Sequence, residues 1–92
     1  MPWKVTYKPR FLRELALLPE HIRPQVETFS FETVPGAENP FALRRLEKMR
    51  GYKICYKVRF GDYRLGLELD KRRQSIQFQR VLHRRDIYRY FP

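Results

Sequence analysis

The chain has 92 residues, which make one domain with room for one modest hydrophobic core. Hydrophobic residues make up 42% of the chain and aromatic residues 15%, a composition that excludes a disordered tail. The net charge of +10 comes from residues 42–92, which hold fifteen basic and five acidic residues, whereas residues 1–41 hold five of each. That asymmetry favours a polyanionic partner, nucleic acid before membrane, because no amphipathic basic helix accompanies it.

The single cysteine, Cys55, excludes an internal disulfide and any metal site built from cysteines. We interpret it as a small residue that fills a strand rather than as a nucleophile. No signal peptide or membrane-spanning segment is recognisable, so we expect a cytoplasmic protein. Carboxylates are not clustered in the way that magnesium requires, so we expect no metal.

The first third of the chain predicts a strand followed by two helices. Alternating apolar and polar residues over 3–7 predict the strand, and Pro9 suits the first position of a helix that Pro19 ends. We expect a second helix from near Glu20, with Pro24 tolerated in its first turn. The apolar stripes that would pack this helical hairpin onto a sheet are Phe11, Leu12, Leu15 and Leu18, then Ile22, Val26, Phe29 and Phe31.

Residues 34–41 contain two prolines and a glycine and predict a loop, beyond which the chain becomes strongly basic. A basic cluster leads into Gly51, and its members are Arg44, Arg45, Lys48 and Arg50. Three further charges over residues 71–73 fall at a turn, where solvation is the simplest interpretation.

Residues 52–69 predict a β-hairpin. Apolar and polar residues alternate on both sides of Gly61-Asp62, and the glycine supplies the positive φ of a tight turn. A two-residue loop pairs Phe60 with Tyr63, Arg59 with Arg64, Val58 with Leu65, and Lys57 with Gly66. The basic side chains of Lys57, Arg59 and Arg64 then meet on one solvent face of the sheet, where each should be replaceable by alanine without harm to the fold. Like charges opposite each other destabilise the pairing there. A bound anion would offset that repulsion; a solvated face that simply carries long basic side chains is the alternative.

A third strand of an antiparallel meander begins at Ile76 and Phe78. Strict alternation would then bury Arg80 and expose Val81, so we expect a β-bulge near Gln79-Arg80 that returns Val81 to the core. The residues that remain allow a terminal helical turn or two.

The end of this third strand places His83, Arg84 and Tyr88 beside the hairpin, within reach of its basic face. A lone histidine is usually structural. One that adjoins an arginine and a tyrosine at a basic surface is a better candidate for acid–base chemistry.

These patterns resemble the RelE/ParE superfamily of toxins from bacterial toxin–antitoxin pairs. The resemblance is carried by Arg45-Leu46, by residues 56–65 (YKVRFGDYRL) and by residues 81–88 (VLHRRDIY), and the element order agrees along essentially the whole chain. It implies one domain over residues 1–92 with an α+β, microbial-RNase-like fold. That fold has a strand, a two-helix hairpin, a three-stranded antiparallel meander and a short C-terminal helical turn, with one mostly antiparallel sheet.

The superfamily divides by activity. Its RelE branch cleaves messenger RNA in the ribosomal A site without metal, whereas its ParE branch inhibits DNA gyrase and lacks the nuclease residues. Because residues of the nuclease set are present here, the resemblance implies a metal-independent endoribonuclease that inhibits translation as part of a stress response. A ParE-like toxin that acts by binding gyrase, or a plain nucleic-acid-binding module, is the alternative.

Carried over position by position, the resemblance implies a catalytic set of Lys57, Arg59, Arg64, His83, Arg84 and Tyr88. Attack of a ribose 2′-OH on the adjacent phosphate leaves a 2′,3′-cyclic phosphate or 3′-phosphate and needs a base, an acid and positive charge. Lys57 would be the base, since nearby cations favour its neutral form, while Arg59 and Arg64 clamp the phosphate. Tyr88 would stack on or orient the nucleotide. The acid could be His83 or Arg84; we expect Arg84 to supply charge and His83 the proton.

Further RNA or phosphate contacts are expected from Arg45, Lys48, Lys53, Arg80 and Arg85. The partners that the resemblance implies are an acidic cognate antitoxin, messenger RNA and the ribosome with its rRNA, and no membrane. Toxin and antitoxin would form a heterotetramer or larger complex that binds operator DNA. We expect the antitoxin to lay a helix on the toxin and to block or distort the basic face. No cofactor is expected.

Overall fold

The structure, a computed structural model, describes residues 3–92, so the first two residues of the predicted 1–92 domain lie outside it. Its frame is a five-stranded sheet whose strands are β1 (Lys4–Tyr7), β2 (Glu47–Lys48), β3 (Cys55–Phe60), β4 (Tyr63–Asp70) and β5 (Ser75–His83). The spatial order is β1-β5-β4-β3-β2, with β1 parallel to β5 and every other neighbouring pair antiparallel. The predicted α+β architecture with one mostly antiparallel sheet is confirmed.

The predicted helical hairpin covers one face of this sheet. Helix α1 (Pro9–Ala16) begins at the proline, and α2 (Arg23–Thr28) carries Pro24 in its first turn, where a missing N–H leaves no hydrogen bond unmade. The chain then continues through a π-helical turn over Phe29–Thr33 into α3 (Val34–Gly36). The loop predicted over 34–41 was therefore wrong in its first three residues, and its last two lie in a single 3₁₀ turn (Pro40–Ala42).

Most of the predicted apolar stripe is buried against the sheet, but two members are not. Leu12 and Phe31 are exposed, while Ser30 and Val34 are buried. The π-helical turn explains why Ser30 rather than Phe31 is buried, because its wider winding shifts the helical spacing and turns Ser30 inward.

The predicted hairpin and its register are confirmed. Phe60 pairs with Tyr63, Arg59 with Arg64, and Lys57 with Gly66, around a turn in which Gly61 has a φ of +58°. The predicted bulge is confirmed as well. Gly66 pairs with Arg80 and Leu67 with Phe78, which leaves Gln79 as the extra residue of β5 and returns Val81 to the core at 1% exposure.

The opposite face of the sheet, which bears Lys57 and Arg59 and is called the site face below, is partly covered. A two-turn helix, α4 (Arg84–Tyr90), packs there over a second apolar cluster that consists of Met49, Cys55, Ile87 and Phe91. The predicted terminal helical turns are thus confirmed. They cover part of a sheet face over which the sequence predicted no covering element. No helix among residues 3–92 is long and apolar enough to cross a membrane.

Strand β2 was not predicted. It has two residues, Glu47 and Lys48, and pairs with β3 so that Glu47 lies opposite Lys57 and Lys48 opposite Tyr56. A strand of two residues carries too little alternation to be recognised in a sequence.

Candidate functional site

A lysine and a tyrosine meet on the site face. Lys57 Nζ donates a hydrogen bond to the Tyr88 hydroxyl at 2.8 Å, and the same nitrogen lies 5.1 Å from the centroid of the Tyr88 ring. Lys57 comes from the middle of β3 and is half-buried, whereas Tyr88 comes from α4 and is 55% exposed. Because the Lys57 amine and the Tyr88 hydroxyl meet at a partly exposed position, a bound ligand can reach both, and this pair is the centre of the candidate site.

Helix α4 approaches the sheet closely because β4 has no side chain at Gly66, directly opposite Lys57. A Cβ built at Gly66 would lie 2.5 Å from Phe91 Cδ2, which is closer than real Cβ contacts. The ring of Phe91 therefore occupies the space that any other residue would fill. The glycine thereby allows α4 to bring Tyr88 to Lys57.

The two hairpin arginines differ in exposure, although both were predicted on a solvent face. Arg59 is exposed, and its Nε lies 3.6 Å from Glu47 Oε1. Arg64 is only 9% exposed, and its Nη1 donates to the carbonyl oxygens of Gly61 at 2.7 Å and Tyr63 at 3.0 Å. The prediction of a solvent-exposed Arg64 was wrong, because its guanidinium folds back to hold the hairpin turn. Arg59 and Arg64 pair across the strands, but Arg59 lies beside a carboxylate and Arg64 bonds to backbone carbonyl oxygens.

Arg84 lies at the tip of the hairpin. Its backbone N–H donates to the Asp62 carbonyl oxygen at 2.7 Å, and its Nε lies 3.8 Å from Asp62 Oδ1. Both side chains are more than half exposed, so water weakens this ion pair and the guanidinium can turn to a phosphate.

His83 contacts residues other than Lys57 and Tyr88. It pairs with Tyr63 across the strands, and the two rings make an edge contact with centroids 5.4 Å apart. Its Nδ1 accepts a hydrogen bond from the Arg85 backbone N–H at 3.2 Å and so caps α4. Tyr63 belongs to the sheet face that packs on the helices, opposite to Lys57. The structure therefore brings Lys57 and Tyr88 together but does not bring His83 to them.

The five further cations predicted to contact RNA fall into two groups. Arg45 donates to the Arg59 carbonyl oxygen at 2.5 Å and lies 4.2 Å from the Phe60 ring centroid, while Arg80 bonds to the Glu14 carboxylate. These two guanidinium groups already have protein partners. The remaining members are exposed, namely Lys48, Lys53 and Arg85.

Cys55 is buried in the apolar cluster beneath α4, in agreement with its interpretation as a small residue that fills a strand. Burial raises the pKa of its thiol, and the charge of Glu68 raises the pKa further. The thiol therefore stays protonated near neutral pH and is a poor nucleophile.

Two carboxylates beside the site arginines were not predicted from the sequence. Glu47 holds Arg59 and Asp62 holds Arg84. Asp62 belongs to the predicted turn, so its place beside the hairpin tip could have been foreseen, whereas Glu47 depends on the unpredicted strand β2. Across residues 3–92, no group of three or more histidine, cysteine, aspartate or glutamate side chains could hold a metal ion.

The chain is similar to toxins of toxin–antitoxin systems. The sequence model of the ParE toxin of type II toxin-antitoxin system, parDE, matches residues 5–88. Toxin RelE3 of Methanocaldococcus jannaschii is 37% identical over 93 residues, covering 97% of this chain and 99% of the relative.

Solved structures share the fold. The RelB-RelE antitoxin-toxin complex from Methanococcus jannaschii contains a chain with 32% identity and a TM-score of 0.77, covering 95% of this chain and 99% of that one. The toxin-antitoxin complex RelBE2 from Mycobacterium tuberculosis contains a chain with 26% identity and a TM-score of 0.67, covering 90% and 92%.

Proposed function

The chain belongs to the ParE toxin family of type II toxin–antitoxin systems, within the RelE branch of the RelE/ParE superfamily, and we propose that it cleaves messenger RNA. Cleavage in the ribosomal A site would inhibit translation. The observation that carries this proposal is the hydrogen bond from Lys57 to Tyr88, on the sheet face that bears Arg59 and Arg64, with Arg84 beside the hairpin turn. That arrangement combines a proton-exchanging group with concentrated positive charge, as phosphodiester cleavage requires.

In the proposed reaction the 2′-oxygen of a ribose attacks the adjacent phosphorus, and the bond from phosphorus to the 5′-oxygen breaks. Lys57 acts as the base that accepts the proton of the 2′-OH, and Tyr88 holds its nitrogen in place and stacks on the nucleotide. Arg59 binds the phosphate oxygens as negative charge accumulates on them, and Arg64, whose guanidinium is held by the hairpin turn, adds positive charge without a direct bond. The products carry a 2′,3′-cyclic phosphate, or a 3′-phosphate after hydrolysis, and a 5′-hydroxyl.

For the leaving oxygen, the geometry favours Arg84 over His83. The Arg84 side chain is exposed beside the hairpin tip, whereas the His83 ring packs on Tyr63 of the opposite sheet face. We therefore propose that Arg84 donates a hydrogen bond to the 5′-oxygen, which takes its proton from solvent. The earlier assignment of the proton to His83 has no support in the observed contacts.

The proposal includes an antitoxin. The solved relatives from Methanococcus jannaschii and Mycobacterium tuberculosis are toxin–antitoxin complexes. For a chain with a net charge of +10, the cognate antitoxin should be acidic and should cover the site face. A heterotetramer or larger complex that binds operator DNA is part of the same proposal.

The test is cleavage of a message on programmed ribosomes at the lowest Mg²⁺ concentration that keeps them assembled, with a single 2′-deoxy nucleotide at the cleavage position as the matched control substrate. The all-ribose message should be cut and the deoxy message left intact at that position, because the attacking oxygen is missing. Cleavage of both substrates, or dependence on added Mg²⁺ beyond that needed to keep the ribosome assembled, would refute the mechanism.

A second function is favoured by the family model itself, which describes a ParE toxin. Under this alternative the protein inhibits DNA gyrase by binding and cleaves nothing. The two functions separate in one comparison: a gyrase inhibitor blocks supercoiling of plasmid DNA in vitro and leaves ribosome-bound messages intact, and the proposed nuclease does the reverse.

A further inference from the structure

Arg80 differs from Arg59 and Arg84 because its ion pair is shielded from solvent. Its Nε lies 3.1 Å and 2.9 Å from the two carboxylate oxygens of Glu14, and its Nη2 also donates to that carboxylate. The side chains of Arg80 and Glu14 are only 14% and 15% exposed. A shielded pair in which two N–H groups meet one carboxylate fixes the plane of the guanidinium. Arg80 therefore acts within the fold rather than on an RNA phosphate.

The carboxylate that holds Arg80 is itself fixed by the backbone of β5. Strand β1 ends at Tyr7, opposite Phe78, so β5 continues past the bulge without a strand on that side. Glu14 Oε1 accepts a hydrogen bond from the Val81 N–H at 3.1 Å and closes this edge. Because Glu14 bonds to both the main chain and Arg80, the guanidinium cannot shift without breaking the edge.

The fixed guanidinium meets the C-terminal helix. Its central carbon lies 5.2 Å from the centroid of the Tyr90 ring, within the range of a cation–π interaction. Tyr90 is the last residue of α4 and lies two positions after Tyr88. The contact links the rigid edge of β5 to the helix that carries the site tyrosine.

Helix α4 needs such a contact because it is short. It has seven residues, fewer than a helix needs to be stable alone, and it is buried through Ile87 and the following Phe91. One line of apolar contact sets the distance of a helix from a sheet but leaves it free to roll. A tyrosine hydroxyl lies roughly 9 Å from the helix axis, so a roll of about 20° would move it roughly 3 Å. That displacement is enough to break the bond of 2.8 Å between Lys57 and Tyr88.

We infer that Arg80, held by Glu14 and stacked on Tyr90, is a positioning residue that sets Tyr88 against Lys57. This inference rests on the proposed function and deepens it, since it assigns to Arg80 a role in the same site. Arg80 does not touch RNA; it acts through α4.

The kinetic test removes the Tyr90 ring and leaves the Arg80–Glu14 pair intact. Single-turnover cleavage of a ribosome-bound message by Tyr90→Leu should be slower by roughly three- to tenfold, with unchanged affinity for the ribosome, and Tyr90→Phe should restore the rate because it keeps the ring. In a Tyr88→Ala background, Tyr90→Leu should have no further effect. An equal loss in both backgrounds would overturn the inference, since it would mean that Tyr90 does not act through Tyr88.

A second readout does not require RNA. In nuclear magnetic resonance spectra, an NOE between the Lys57 ε-methylene and the Tyr88 ring should be present in the wild type and in Tyr90→Phe, and weakened or lost in Tyr90→Leu. Tyr52→Leu is the matched control, because Tyr52 is 49% exposed and Tyr90 is 51% exposed. If the NOE disappears as expected in a protein that cuts no RNA, the positioning role stands and the nuclease function fails. An NOE that persists in Tyr90→Leu would overturn the positioning role.

Discussion

At the scale of single residues, the hairpin arginines show that a shared sheet face does not imply a shared role. Arg59 is exposed and held weakly by Glu47, and Arg64 is buried and bonded to two carbonyl oxygens of its own turn. Both were expected to be removable without harm to the fold. The structure supports that expectation for Arg59 only.

We predict that Arg64→Ala lowers the free energy of unfolding by about 1–3 kcal/mol, because it leaves two carbonyl oxygens without their donor. Arg59→Ala should change the same quantity by less than about 1 kcal/mol, as expected for an exposed ion pair. Urea denaturation of the two variants beside the wild type measures both values. Equal stability of the two variants would show that the Arg64 bonds do not hold the turn.

The proton donor is a second question at this scale. We predict that His83→Gln keeps the rate of RNA cleavage within about threefold of the wild type, because its ring packs on Tyr63 and away from Lys57. Arg84→Ala should lose about a hundredfold, since it removes positive charge at the leaving oxygen.

Single-turnover rates between about pH 5.5 and pH 7.5, the range in which histidine ordinarily titrates, distinguish the two residues. With Arg84 as the group at the leaving oxygen, His83→Gln should have the same profile as the wild type. A wild-type rate that falls as pH rises through this range, and a flat profile in His83→Gln, would return the role to the histidine.

At the scale of elements, the docking of α4 depends on the absence of a side chain at Gly66. We predict that Gly66→Ala forces the Phe91 ring outward, which costs about 1–3 kcal/mol of stability and separates Tyr88 from Lys57. Gly36→Ala is the matched control, because a Cβ there has nothing within 4 Å. Amide hydrogen exchange over residues 84–90 should accelerate in Gly66→Ala and stay unchanged in the control. Unchanged exchange in both would mean that Phe91 does not anchor the helix.

The elements also show how far the sequence could predict the fold. The hairpin register and the bulge at Gln79 followed from alternation, because a slip by one residue would have turned the whole apolar set to solvent. The continuation of the second helix to Gly36 did not follow, since a proline in a first helical turn and one in a loop look alike in a sequence. Strand β2 was too short to be detected.

The sequence predicted which residues form the candidate site better than it predicted how their side chains are arranged. Lys57 and Tyr88 meet as expected, because strand pairing and a short terminal helix leave few alternatives. The burial of Arg64 depends on how its side chain folds over the turn, and the Arg80–Glu14 bond joins residues 66 positions apart. Contacts of that kind arise from tertiary packing and leave no periodic signal.

At the scale of the whole molecule, charge governs the partners. The excess of positive charge lies in residues 42–92, which include both β3 and α4, so under the proposed function the site face should attract both RNA and an acidic antitoxin. If one surface binds both partners, they should compete for it.

We predict that the toxin–antitoxin complex weakens as salt rises from about 0.1 M to 0.5 M, because screening shortens the range of surface electrostatics. In the complex, acetylation of Lys57 should be slower than in the free toxin, and acetylation of exposed Lys71, at the β4–β5 turn, should be the same. A complex that is insensitive to salt and leaves Lys57 fully reactive would show that the antitoxin neutralises the toxin without covering the site face.

The central claim is that RNA is cut by Lys57 on the site face, and single-turnover cleavage of a ribosome-bound message by Lys57→Met tests it most directly. Methionine keeps much of the length of the side chain and removes the amine, and Lys71→Met is the control for the loss of one positive charge. We predict that Lys57→Met lowers the rate by about 10²- to 10⁴-fold, the usual contribution of a general base, without loss of ribosome binding, and that Lys71→Met cuts at nearly the wild-type rate. A Lys57→Met protein that cleaves as fast as the Lys71→Met control would show that Lys57 is not the base.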